Sequence, residues 1–342
     1  LNFSINGKEF DAMTRVGIPR GLFYFYYYPL WKTFFNDLGA EVITSPPSNR
    51  SIIDGGLRLT VDEACFPIKV YFGHVNELCR EKLDYIFIPR IISVEAKSYI
   101  CPKFMGIPDM IKASVPDLPE IIDLTVDLSK SDRDFKSGLF RVGKMFGQNR
   151  RAIADAYKHG MQELNFCRLL ARQGFSPAEA IRIWEGDSLD IGNNFDLNIG
   201  LLGHGYSLYD NAISMNLINR LREMGCRVIL PEMLPAEQIE AAAATMPKRV
   251  FWTLGRRMVG SAFTMENTTL VDGIIYVACF GCGPDSLIGE IILRKIKHKP
   301  FMMLTIDEHT GQAGMMTRLE AFCDMLRRER RIKDESNLSS YG

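Results

Sequence analysis

Asp272-Gly273-Ile274-Ile275-Tyr276-Val277-Ala278-Cys279-Phe280-Gly281-Cys282-Gly283-Pro284-Asp285-Ser286-Leu287 joins two hydrophobic patterns at a pair of cysteines. Residues 272–277 read as a short buried strand, and residues 287–295 have the apolar spacing of a helix. The cysteines therefore fall on a strand-to-helix turn. In an open α/β sheet that turn lies at the carboxyl end of the strand, where such folds place their ligands. Gly281, Gly283 and Pro284 keep the backbone tight and free of bulky cover, and Asp285 and Ser286 suit the helix start. A lone Cys-x-x-Cys reads equally well as an ordinary reduced thiol pair. Its weight here comes from other cysteines on comparable turns.

The same unit recurs from the beginning of the chain. Residues 15–19 form a strand entering a sharp turn, and residues 22–38 follow as a helix rich in Phe, Tyr and Trp, suited to core or subunit contact. Residues 41–44 are a second strand, closed by Ser45-Pro46-Pro47-Ser48. Asp62-Glu63-Ala64-Cys65-Phe66-Pro67 leads into a helix over 68–82, so Cys65 stands at a helix N-terminus, whose positive end favours a thiolate. Residues 84–89 are a third strand, and the loop expected over 90–108 contains Cys101-Pro102.

Residues 129–191 change to a charged, helical pattern, including 150–172 and the helix start Ser176-Pro177-Ala178-Glu179. Strand, turn and helix then resume: a strand at 197–202, a helix at 208–224, strands at 227–231 and 272–277, a last strand at 301–306 and a last helix at 313–329. Leu38-Gly39-Ala40-Glu41-Val42-Ile43 matches Met224-Gly225-Cys226-Arg227-Val228-Ile229, and Leu83-Asp84-Tyr85-Ile86 matches Val271-Asp272-Gly273-Ile274. The expected fold is α/β: two Rossmann-like lobes with parallel sheets related by an internal repeat, joined by a helical linker. The expected boundaries are 1–130 for the N-terminal lobe, 131–195 for the linker and 196–342 for the C-terminal lobe. With the lobes facing across a cleft, the turns of Cys65, Cys101 and the Cys279/Cys282 pair present sulfur to one point, unlike the clustered run of a ferredoxin.

Composition narrows the function. A chain of 342 residues suggests two domains, and 46% hydrophobic with 24% charged residues is an ordinary globular balance. Lys plus Arg equals Asp plus Glu at 41 each, so no overall field draws the chain to nucleic acid or an anionic membrane. Residues 1–14 lack a signal-peptide core and no apolar run reaches spanning length, which leads us to expect a cytoplasmic protein. Eight dispersed cysteines are then thiols or metal ligands, not a disulfide framework.

Several short motifs carry a family resemblance: Val16-Gly17-Ile18-Pro19-Arg20, Cys65-Phe66-Pro67-Ile68-Lys69 with Gly73-His74, Cys101-Pro102, Gly203-His204-Gly205-Tyr206 with Tyr209-Asp210, Phe280-Gly281-Cys282-Gly283, and Leu304-Thr305-Ile306-Asp307-Glu308-His309-Thr310-Gly311. In these the chain resembles the 2-hydroxyacyl-CoA dehydratase superfamily, which also holds benzoyl-CoA reductase subunits and double-cubane cluster proteins. It looks most like the branch found with, or fused to, ATP-dependent activases of CoA-substrate-specific enzymes. The resemblance implies a cleft iron-sulfur cluster on Cys65, Cys101 and Cys282, a 4Fe-4S cluster with a double-cubane cluster as the alternative. Cys279 stands where the pattern usually has a small hydroxyl residue and is a further candidate ligand. The implied function is acceptance of low-potential electrons from an activase with its own iron-sulfur cluster, for reduction or dehydration of a substrate. The implied assembly is a homodimer, or a heterodimer with a related subunit. The alternative is a non-catalytic iron-sulfur electron carrier or cluster scaffold.

Other residues are weighed singly. Gly203-His204-Gly205 lacks the third glycine of a dinucleotide loop, since Leu208 stands there, so its better use is a turn that places His204 and Tyr206 near the cleft. Glu308, His309 and His204 are the candidate catalytic residues, as proton donors; for Glu308 and His309 a helix-start network with Thr310 and Gly311 is the competing reading. His74 reads as structural or as a neighbour of the site, and Cys79, Cys167, Cys226 and Cys323 as packing. No Walker-type loop or ferredoxin-type run occurs in this sequence, so reducing power is expected from outside.

Overall fold

Short runs of aliphatic and β-branched residues build two four-stranded sheets, each wholly parallel. A computed structural model describes residues 13–339, with side chains as far as Ile332; most of the leader expectation at 1–14 lies outside the described residues. The first part comprises β1 (Arg15–Ile18), α1 (Tyr24–Asp37), β2 (Glu41–Thr44), α2 (Arg50–Leu59), α3 (Phe66–Leu78), β3 (Tyr85–Phe87), β4 (Arg90–Ser93), α4 (Pro102–Ser114), β5 (Glu120–Ile122) and β6 (Thr125–Asp127). Three helices follow: α5 (Arg133–Met145), α6 (Arg150–Arg172) and α7 (Pro177–Trp184). The last part comprises β7 (Leu197–Gly203), α8 (Gly205–Leu208), α9 (Leu217–Glu223), β8 (Cys226–Ile229), α10 (Ala236–Ala243), α11 (Thr253–Glu266), β9 (Gly273–Cys279), α12 (Gly283–Lys295), β10 (Phe301–Ile306) and α13 (Gln312–Ser339).

The strand orders are β2-β1-β3-β5 and β8-β7-β9-β10, so each lobe repeats the same order counted along its own chain. This is the expected pair of Rossmann-like lobes. A third, two-stranded sheet pairs β4 with β6, also in parallel. β9 is buried at every residue, as a parallel strand covered on both faces should be.

Several elements depart from the expected bounds. The helix expected over 208–224 is broken: Asp210 accepts from the Ala212 and Ile213 amides, and Met215 and Asn216 adopt left-handed backbone before α9 begins. Helix α2, capped by the Asn49 side chain, stands between β2 and Cys65, where no helix was expected. The segment expected as a loop over 90–108 contains β4 and the start of α4. α12 begins at Gly283, a turn earlier than the apolar spacing indicated, because Pro284 nucleates the first turn and Asp285 is turned inward.

The aromatic face of α1 is buried within its own chain: Tyr24 stacks on Tyr28, and Tyr28 meets Trp184 edge-on at 6.1 Å. The lobes meet through specific bonds. Tyr99 N–H donates to the Phe251 carbonyl at 2.8 Å, and Thr253 N–H to the Tyr99 carbonyl at 3.0 Å. A buried chain of hydrogen bonds also crosses between them. Ser48 donates to Asp210, so at His74 Nε2, 2.8 Å away, the Ser48 oxygen must accept. His74 Nδ1 therefore accepts from Ser45, 2.9 Å away, whose oxygen accepts from the Arg20 amide. Burial, then the Arg20 charge, lowers the pKa of His74 to about 3, which keeps the ring neutral in this single tautomer.

Helices α2 and α3 approach backbone to backbone. A Cβ on Gly56 would strike the Lys69 carbonyl, and one on Gly73 the Ile52 carbonyl. Gly73→Ala is therefore expected to destabilise the protein by about 3 kcal/mol in urea unfolding. Gly314→Ala, on the open face of α13 where a Cβ meets nothing, should stabilise it by up to about 1 kcal/mol.

Candidate metal centre

Cys65, Cys101 and Cys282 occupy one structural position three times over. Each is the N-cap residue of a helix, α3, α4 and α12 respectively, and each helix has a proline in its first turn. None of the three side chains caps its own helix by a hydrogen bond. The sulfurs thus sit at three positive helix ends, an arrangement that favours thiolates and bound anionic groups.

The turns are linked to one another. Lys103, two residues after Cys101, donates to the Glu63 carbonyl at 3.0 Å and so ties the Cys101 turn to the segment before Cys65. Cys65 is close enough to Cys101 and Asp285, and Cys282 to Asp285, Cys65 and Cys279, for their charges to act on one another. Burial first pushes the Cys65, Cys101, Cys279 and Cys282 thiols up; at Cys279 and Cys282 the Asp285 charge adds to it, while at Cys65 the Lys103 charge and the Ile68 amide oppose it. Such a group of thiols stays protonated unless a cation sits among them. A coordinated metal deprotonates its thiols and removes the repulsion, and sulfur donors suit zinc or iron-sulfur clusters. A Cβ on Gly281 or Gly283 would meet nothing within 4 Å, so the Cys282 turn is open. The donor set fits a thiolate-bound metal group.

Cys279 ends β9 with its sulfur 3.3 Å from Ser207 Oγ, facing the same side as Cys65 and Cys282. His204 enters the group through Asp285: one donor atom from each of His204, Cys282 and Asp285 lies within 4.8 Å of the others. His204 Nδ1 is 2.6 Å from Asp285 Oδ1, off the line of a hydrogen bond, which leaves Nδ1 buried without an aligned partner. Asp285 also accepts from the Tyr276 hydroxyl at 3.0 Å and the Cys279 amide at 3.1 Å. Burial opposes its ionisation, but His204 and these donors hold its carboxyl below the usual range. Tyr206 stacks on His204 at 4.9 Å, among Cys282, Asp285, Cys65 and Cys279.

Glu308 and His309 are placed differently from each other. Glu308 pairs with Lys69 at 2.6 Å in a largely buried bridge. His309 is exposed, and its amide donates to Asp307, which also accepts from Thr310; this is the helix-start network. Cys226 and Cys323 pack 3.5 Å apart, away from the candidate ligands. Sequence reasoning treated Asp285 as a helix-start residue and assigned no role at the site to Tyr276 or Ser207; no periodicity marks an inward-turned acid in a first helical turn.

Fold and site together define a two-lobed α/β protein whose cysteine-capped helices converge on a thiol-rich centre. The chain belongs to the family described as the CoA enzyme activase uncharacterised domain, whose model matches residues 15–234. This family fits the superfamily of 2-hydroxyacyl-CoA dehydratases and their activases. The match includes Cys65, Cys101 and His204 and ends before the Cys279–Cys282 turn. A comparison with curated proteins finds no match. Among the described residues no helix is long and apolar enough to cross a membrane.

Asp285→Ala strands the Tyr276 hydroxyl and the Cys279 amide and leaves His204 unheld. The expected cost is about 3 kcal/mol in urea unfolding, with Asp285→Asn losing less because it keeps the shape and an acceptor. A loss below about 1 kcal/mol would mean that water replaces the carboxylate.

Proposed function

We propose that the chain holds an iron-sulfur cluster on Cys65, Cys101 and Cys282 and takes low-potential electrons from an ATP-dependent activase for reduction or dehydration of a substrate. The observation that carries this reading is the convergence of three helix N-termini, each begun by a cysteine that leaves its own helix uncapped. A 4Fe-4S cluster held by these three cysteines would supply one-electron chemistry. The chain's own residues do the rest. Lobe 1–130 brings Cys65 and Cys101, lobe 196–342 brings Cys279 and Cys282, and the helical segment 131–195 braces them. Asp285 orients His204, and Tyr206 with Phe104 covers the centre against water. Phe280, 68% exposed on the Cys279–Cys282 turn, offers an apolar contact to an electron donor.

The second reading is an electron carrier or cluster scaffold without a substrate. It is favoured by two cavities, of about 490 and 430 Å³, neither of which is lined by Cys65, Cys101, Cys279 or Cys282.

Iron and sulfide analysis with EPR on anaerobically prepared protein tests the ligands. Cys65→Ala, Cys101→Ala and Cys282→Ala should each lose most of the cluster, whereas Cys79→Ala and Cys323→Ala keep it. Zinc without sulfide would sink the reading, and iron near eight per chain, lost with Cys279→Ala, would replace one cubane by two. Stopped-flow absorbance tests the partner: reduction should require activase and ATP together, and equal reduction without them removes the activase from the scheme.

A further inference from the structure

Away from the candidate ligand cysteines, α1, α6 and α11 enclose a cavity of about 490 Å³, within the roughly 300–1,000 Å³ of small-molecule sites. Phe23, Tyr26 and Leu254 give it an apolar, aromatic wall. Three arginines and three glutamates line it, but they are not paired with one another evenly. Arg168 and Arg172 stand one turn apart on α6, where like charges repel, and among the described residues neither has a carboxylate partner. Of the acids in the wall, Glu240 is held by Arg256 at 2.6 Å, and Glu232 accepts from the Tyr209 hydroxyl and lies 3.5 Å from Arg257. Glu95 lines the same wall and, among the described residues, makes no ion pair with either arginine.

Two buried polar atoms in the same wall have no partner: Thr253 Oγ1 and Arg257 Nε, one turn apart on α11. Buried hydrogen-bonding groups are nearly always satisfied, so two orphans on one face of one cavity indicate a missing acceptor. We propose that this cavity binds an organic anion with a ring-sized apolar body. Arg257 and Thr253 take its acidic group, Arg168 and Arg172 draw it in at the mouth, and its body lies against Phe23 and Tyr26. The site is separate from the thiol centre, since none of Cys65, Cys101, Cys279 and Cys282 lines it; the Tyr26 hydroxyl in its wall accepts from the Gly205 amide at 2.8 Å. It is nonetheless connected to it. Phe23 packs edge-on against Phe104 at 4.8 Å, and Phe104 packs on Tyr206 at 5.6 Å, so a bound ligand touches the first of three rings that end beside the cysteines.

Isothermal titration with 2-naphthoate and its uncharged analogue 2-naphthamide tests the proposal without reference to any metal. The carboxylate should bind saturably at one site, about tenfold or more tighter than the amide. Arg257→Gln should abolish that preference. Arg168→Gln with Arg172→Gln, both exposed and harmless to folding, should weaken the carboxylate several-fold and leave the amide unchanged. Absence of saturable binding, equal affinity for the two probes, or a preference indifferent to all three substitutions would overturn the assignment.

Discussion

The ion pair between Lys69 and Glu308 sets the relation on which the rest depends. Lys69 stands one turn after Cys65 on α3, and Glu308 lies two residues beyond the end of β10, so the bridge fastens the start of a first-lobe helix to the carboxyl edge of the second sheet. Its two charges are mostly removed from water, at 6% and 16% side-chain exposure. Such a pair adds little net stability but makes any other register expensive, because a shift leaves an uncompensated buried charge. The Tyr99 backbone bonds to Phe251 and Thr253 act in the same sense near Cys101. With the Ser48 bond to Asp210, these contacts fasten the part that carries Cys65 and Cys101 to the part that carries Cys282.

Cysteine is a poor helix cap, and that explains how the turns are built. A Ser or Asp at positions 65, 101 or 282 would satisfy first-turn amides with its own oxygen. The thiols make no full capping bond and attract the Ile68, Lys103 and Asp285 amides only weakly, and proline in each first turn sets the helical backbone. The positive poles of three helices thus lie at the three thiols. Asp285 adds a fixed negative charge behind Cys282, yet it is held by the Tyr276 hydroxyl, the Cys279 amide and His204, so it orients neighbours while its own oxygens stay engaged.

Much of this architecture was legible in the sequence. Apolar runs and their turns marked all four strands of the second sheet and three of the first, missing the three-residue β5, and 150–172 read as one helix because its amphipathic period is unbroken. The repeated Leu-Gly-Ala-Glu-Val-Ile and Met-Gly-Cys-Arg-Val-Ile segments foretold the shared strand order. What was missed depended on tertiary contact. Helix α2, with its two central glycines, is a weak helix by propensity and stands because α3 packs closely against it. The break after α8 is imposed by the side chain of Asp210, and the burial of Asp285 by hydroxyl and amide donors that only the fold brings near. Of the candidate residues, Cys65 was legible as a helix start from Pro67, whereas Cys101 was expected in a loop, Cys282 a turn ahead of its helix, and the ion pair of Glu308 was not foreseen.

The hydrogen-bond chain through His74 has a direction, running from the Arg20 amide through Ser45, the ring and Ser48 to Asp210. Only its last link crosses from one lobe to the other. If the lobes part, Ser48 loses Asp210, its hydroxyl is free to rotate, and the imidazole is no longer confined to one tautomer. Water reaching the ring would restore ordinary imidazole basicity near neutrality. The nitrogen resonances of a single buried histidine thus act as an internal gauge of cleft opening, readable without any ligand or metal in place.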